Sequence, residues 1–173
     1  LSPQKGIVKL GTQLQIGYFD QLRAGLDYER SAIENVAGGR ESICINGKEK
    51  HIIGYLADFL FVPDRVRIPI KLLSGGECNR LLLAKLFSLP KNLLVLDEPT
   101  NDLDIESLEL LENLLVDYKG TLLLVSHDRT FVDAVATSTL VFSGEGKITE
   151  YIGGYDAIPH TPTPKKTPAL TRN

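Results

Sequence analysis

The chain has 173 residues, 43% of them hydrophobic, which suits one domain with a real core. A formal net charge of −3 gives no general pull toward nucleic acid or an anionic membrane, although a local basic patch survives such an average. No apolar run approaches the ~18 residues that span a bilayer, no signal-peptide pattern opens the chain, and Cys44 and Cys78 lack metal-site or disulfide spacing, so both read as plain thiols.

Leu14–Phe19 reads as a short strand ending at the polar pair Asp20-Gln21. Ser31 and Glu34 match a capping box and predict a helix through Ala37. Asn46-Gly47 lies between Ser42–Ile45 and Lys48–His51, which predicts a two-residue hairpin. Ile52, Ile53, Leu56, Phe59 and Leu60 then form a helix-like patch that stops near Pro63. Up to about Leu72 the pattern is that of a small helical subdomain with an added hairpin. Gly76–Leu89 is helical in pattern and is ended by Pro90.

Leu93–Leu96 and Leu122–Val125 are short continuous apolar runs, closed by Asp97-Glu98-Pro99 and by Ser126-His127-Asp128. Buried parallel strands read this way, apolar on both faces with polar chemistry at their carboxyl ends. Between them a helix from about Asp104 to Tyr118 aligns Ile105, Leu108, Leu111 and Leu115 on one face. Strand, helix and strand predict a right-handed βαβ unit, with ligands beyond the strands' carboxyl ends. Leu140–Phe142 and Ile148–Ile152, separated by the Gly-rich turn Ser143–Gly146, predict a closing hairpin. The Pro- and Lys-rich stretch from Pro159 to Asn173 reads as an extended linker, so the folded unit is expected over 1–158 and the linker over 159–173.

The chemistry sits at those strand ends. Phosphoryl transfer needs a hard cation, which Asp97 can hold directly or through water, and a second carboxylate beside it, Glu98, can orient or deprotonate the attacking water. Ser74-Gly75-Gly76 opens a helix, where glycine lets backbone approach phosphate and the helix N-terminus adds amides and positive dipole. His127 follows the second buried strand, where an imidazole N–H can reach a γ-phosphate. Each feature alone has an ordinary explanation: a solvated acidic strand end, a Ser-capped turn, a structural histidine, a surface Gln21. Their order along one chain argues otherwise.

Leu73-Ser74-Gly75-Gly76-Glu77, then Leu93–Thr100, then Asn101-Asp102-Leu103-Asp104, then Ser126-His127-Asp128 resemble the second half of an ABC-type ATPase domain. Within that superfamily the chain resembles the ABC-F group, whose members carry two ATPase domains and no membrane domain. Tyr18-Phe19-Asp20-Gln21 matches the group's Q-loop, Glu98–Asp104 its D-loop, and Ser126–Arg129 with Phe131 its switch region; Tyr151-Ile152-Gly153-Gly154-Tyr155 matches its closing segment. The hairpin about Asn46-Gly47, with Gly54-Tyr55-Leu56 and Asp58–Phe61, resembles the second ATPase domain of Uup-type members. One position departs from the pattern: Cys78 stands where Arg or Gln is usual.

The resemblance implies an α/β fold, a partial P-loop NTPase domain with a parallel sheet flanked by helices, a helical subdomain and small hairpins. It implies ATP and Mg²⁺ as cofactors. Gln21 is implied to sense metal and lytic water, Asp97 to serve the metal, Glu98 to polarise water and His127 to hold the γ-phosphate. Ser74, Gly75, Gly76 and Glu77 are implied to meet ATP held by a facing ATPase domain, and Asp104 to help couple two such sites. A second ATPase domain, the ribosome and a cytoplasmic location follow by the same implication. No stretch reads Gly-x-x-x-x-Gly-Lys-Ser/Thr, and Met is absent. The chain is therefore expected to be a fragment, inactive alone, with an apolar sheet face left to self-associate. Competing readings are the ATP-binding subunit of a membrane transporter, half of a split-head chromosome or repair ATPase, and a non-enzymatic scaffold.

Overall fold

The computed structural model describes residues 6–7, 9, 11–19, 25–45, 47–101, 103–144 and 146–159. A parallel three-stranded sheet has the order β1 (Ile16–Tyr18), β4 (Leu93–Asp97), β5 (Thr121–Val125), with β4 central. Tyr18 pairs with Val95, Val95 with Leu123, and Asp97 with Val125. The chain between β1 and β4 carries the small subdomain: helix α1 (Ala32–Ala37), the hairpin β2 (Ser42–Ile45) and β3 (Lys48–His51), helix α2 (Ile52–Ala57), and a 3₁₀ turn at Ile70–Leu72. Helix α3 (Gly75–Ser88) returns to the sheet, α4 (Ile105–Val116) joins β4 to β5, and α5 (Arg129–Val135) follows β5. The antiparallel hairpin β6 (Ser138–Phe142) and β7 (Ile148–Ile152) and a 3₁₀ turn at Tyr155–Ala157 complete the described chain.

Helix α3 is the spine. Leu81, Leu82, Leu83, Ala84 and Leu86 are buried all round it, because one side meets the sheet and α4 while another meets α1, α2 and β2. The buried Tyr55 hydroxyl donates to the Ala84 carbonyl at 2.8 Å, tying α2 to that spine. Ile52, Leu56, Phe59, Phe61, Val66 and Ile70 fill the subdomain side, and Leu94, Leu96, Leu111, Leu115 and Phe131 the sheet side, in one continuous core.

The α1 capping box forms as read: Glu34 N–H donates to Ser31 Oγ at 3.3 Å and Ser31 N–H to Glu34 Oε2 at 2.9 Å. Two expectations change. Helix α2 stops at Ala57, well short of Pro63, because Leu60 adopts φ +63° and the Phe61 amide donates back to the Leu56 carbonyl, a Schellman-type closure. Ile105, placed by periodicity on the buried face of α4, is 77% exposed, because the buried line of the helix runs through Ser107, Leu111 and Leu115 and Ile105 lies well round the helix from it. The apolar sheet face expected to lie open does so: Leu94 and Leu96 are buried, whereas Tyr18, Leu123 and Val125 on the other face are exposed. Residues from 160 onward, including most of the expected linker, lie outside the described residues. Among the described residues no helix is long and apolar enough to cross a membrane.

Candidate functional site

Parallel pairing of β4 and β5 brings two chemically loaded strand ends side by side. The Glu98 amide donates to the Val125 carbonyl at 2.8 Å, extending the ladder one residue past β4. Glu98 then adopts φ +46°, a left-handed conformation uncommon for a carboxylate residue, and turns the chain off the sheet into the buried Pro99. The His127 amide donates to Glu98 Oε2 at 3.2 Å, and His127 Nε2 lies 3.3 Å from Glu98 Oε1. That second approach is close in distance but out of line, so buried Oε1 makes no hydrogen bond. The His127 ring is 96% exposed and the Glu98 side chain 21%. One carboxylate oxygen is thus pinned by a backbone amide, while the other keeps its lone pairs for a proton.

Asp97 ends β4 with its side chain exposed beside this pair. Among the described residues no group of three or more His, Cys, Asp or Glu forms a metal cage. An exposed carboxylate next to an unsatisfied carboxylate oxygen fits Mg²⁺, which keeps several waters and takes one or two protein carboxylates along with phosphate oxygens.

The glycine turn is built at the start of α3. Ser74 is the N-cap, accepting from the Glu77 amide at 3.2 Å, and the Ser74 amide donates to Glu77 Oε2 at 2.7 Å. Arg65 grips the same carboxylate with Nε and Nη2, both at 2.8 Å, and with Nη2 reaches the Leu72 carbonyl at 3.0 Å. The Arg65 guanidinium, opposed by partial burial and aided by the Ser74 bonds, holds the Glu77 carboxyl down to about 2. Arg65 and the Ser74 amide thus hold both oxygens of the Glu77 carboxylate. Gly75 faces open space, whereas a Cβ on Gly76 would overlap the Asp104 carboxylate. Asp104 caps α4, its Oδ1 accepting from the Ser107 amide at 2.9 Å. Cys78 Sγ lies 3.8 Å from the Ile70 carbonyl, and burial pushes its thiol up.

Two residues were not singled out by sequence. Arg80, with a side chain only 11% exposed, sets Nη1 3.6 Å from Asp104 Oδ2 and 3.4 Å from Glu106 Oε2, joining the signature helix to the start of α4. Arg65 does the equivalent for the glycine turn. Neither has a sequence signal, because each acts across elements distant along the chain. Gln21 lies outside the described residues.

A sheet-edge acid pair, a strand-end histidine and a glycine turn opening a helix define an ATP-binding-cassette type of domain. The family model described as ABC transporter matches residues 3–101, and the chain belongs to that family. Within it the chain is homologous to the Uup proteins. The ATP-binding protein Uup of Haemophilus influenzae is 57% identical over 155 residues, covering 90% of this chain and 24% of that protein. The energy-dependent translational throttle protein EttA of Escherichia coli is 39% identical, over 88% of this chain and 28% of its own length. The solved structure titled RNase-L Inhibitor shares the fold, with a TM-score of 0.60 at 23% identity over 90% of this chain and 30% of that one. The chain spans about a quarter to a third of the length of the curated relatives it matches.

Proposed function

We propose that this chain is the signature, acid and switch portion of an ABC-F-type ATPase domain that binds and hydrolyses ATP. The observation that carries the reading is the meeting of Glu98 and His127, far apart in sequence, with a buried carboxylate oxygen left unsatisfied. Glu98 takes the proton of the attacking water, and the His127 amide on Oε2 fixes the carboxylate before substrate arrives. The exposed imidazole of His127 donates to the γ-phosphate. Asp97 would hold Mg²⁺, which supplies charge neutralisation of the phosphate oxygens. Gln21 is proposed to orient the same water and metal.

Ser74, Gly75 and Gly76 are proposed to contact ATP carried by a facing ATPase domain, so that nucleotide closes two domains head to tail. The open surface at Gly75 supports this. The printed name of EttA suggests a link to translation. On that likeness we infer a ribosomal partner and a cytoplasmic setting for the whole protein, testable by ATP-dependent cosedimentation with ribosomes.

Glu98→Gln in the full-length protein tests the core of the reading. Turnover should fall by roughly 10²- to 10⁴-fold, the usual worth of a general base, with ATP affinity retained. Unchanged turnover would rule Glu98 out as the base.

A further inference from the structure

Helix α5 follows His127 directly and is short: Arg129–Val135, seven residues. Helices of this length do not hold themselves together in water, so α5 must be held by its surroundings. Its N-terminus is capped by Asp128, whose Oδ1 accepts from the Phe131 amide at 3.1 Å, and Phe131 is its one fully buried anchor. The outward side is gripped by the segment after β7. The Arg129 guanidinium lies 4.3 Å from the centre of the Tyr155 ring, a cation–π contact. Asp133 Oδ1 accepts from the Asp156 amide at 3.0 Å, satisfying the opening of the 3₁₀ turn Tyr155–Ala157. Gly154 packs so tightly on Asp133 that a Cβ there would come within 2.6 Å of the Asp133 Cα. Gly153 is locked from both directions: its amide donates to the Thr137 carbonyl at 2.9 Å, and its carbonyl accepts from Thr139 Oγ1 at 2.8 Å.

We propose that the Gly153–Ala157 turn is a brace on α5 and that Arg129, Asp133, Gly154 and Tyr155 are positioning residues for His127. The brace meets α5 over Arg129 and Asp133, the first two turns after His127, where a small rotation of the helix swings the preceding strand end most. The imidazole is almost wholly exposed and its close side-chain neighbour is Glu98, so its place follows chiefly from the backbone at 127–129. The role of the brace rests on the reading of His127 as the γ-phosphate contact.

The test uses the full-length protein with Tyr155→Leu, Tyr155→Phe, Arg129→Gln, the Tyr155→Leu/Arg129→Gln pair, and His127→Ala. Tyr155→Leu and Arg129→Gln should each lower kcat about threefold to fivefold, the worth of one exposed cation–π contact, with KM for ATP little changed. Tyr155→Phe, which keeps the ring over Arg129, should lose less kcat than Tyr155→Leu, and the pair should lose no more than Tyr155→Leu alone. Losses that multiply in the pair, or Tyr155→Leu equal to Tyr155→Phe while His127→Ala abolishes turnover, would overturn the brace. If His127→Ala leaves turnover intact, the phosphate-contact reading falls. The brace is then decided by the His127 ring resonances: moved by Tyr155→Leu but not by Tyr155→Phe they support it, and unmoved they refute it. Should Tyr155→Leu fail to fold, Arg129→Gln, on the exposed side of α5, carries the same decision.

Discussion

At the scale of the residue, adjacent glycines in one motif have different physical reasons. Gly75 has open space where a side chain would stand, while Gly76 must be bare to admit Asp104. Gly76→Ala is expected to cost about 1–3 kcal/mol in denaturant unfolding, through overpacking, and that increment should shrink when measured in an Asp104→Ala background, which itself loses the α4 cap. Gly75→Ala should be neutral or stabilise by about 0.4–1 kcal/mol, by stiffening the unfolded chain. Equal costs at both positions would refute the packing argument. The Glu77 carboxylate gives a second expectation. Its folded pKa of about 2 lies below the usual 4.5, so the folded state prefers it ionised. Its stabilisation is complete above about 4.5 and is lost as pH falls toward 2. Denaturation midpoints should drop across that window, and Glu77→Gln should flatten this part of the curve while lowering stability at neutral pH.

Among the elements, the sheet shows how a face is decided. Leu94 and Leu96 in β4 point to α3 and α4, whereas Tyr18, Leu123 and Val125 form an apolar stripe on the opposite face with no covering element among the described residues. Phe142, Ile148 and Ile152 of the closing hairpin are also exposed. A patch of this kind promotes association. The 173-residue chain should bind a hydrophobic dye and elute above its monomer mass, and Leu123→Thr should reduce both; monomeric elution without dye binding would contradict this. The strands were legible as apolar runs, since a continuous run is what a parallel strand needs. Which face would be covered was not, because that depends on helices packed from elsewhere in the chain. Ile105 shows the same limit in α4: the buried line runs through Ser107, Leu111 and Leu115, and apolar periodicity does not pick out a serine as part of it.

For the whole molecule, the acid, imidazole and glycine-turn groups lie in one fold, yet no Gly-x-x-x-x-Gly-Lys-Ser/Thr pattern is present in the chain to cradle a triphosphate. The isolated chain should therefore show no ATP turnover above background at micromolar concentration. Turnover that disappears in Glu98→Gln would overturn that expectation. Arg80 and Asp104 join helix α3 to the start of α4, the helix that follows the Glu98 turn, so the glycine turn is mechanically tied to that end of the sheet.

Much of this protein was determined by local sequence. Capping boxes at Ser31 and Ser74, the hairpin about Gly47, the two apolar strands and the polar residues closing them are set by short-range hydrogen bonding and by side-chain periodicity, which neighbours in sequence decide. Tertiary structure alone decided what those polar groups do to one another. It committed Glu77 to Arg65, brought Cys78 beside the Ile70 carbonyl, set Asp104 against Gly76, left Glu98 Oε1 unsatisfied beside His127, and laid Tyr155 on Arg129. Each of these is a contact between elements far apart in the chain, and its geometry follows from how the core packs.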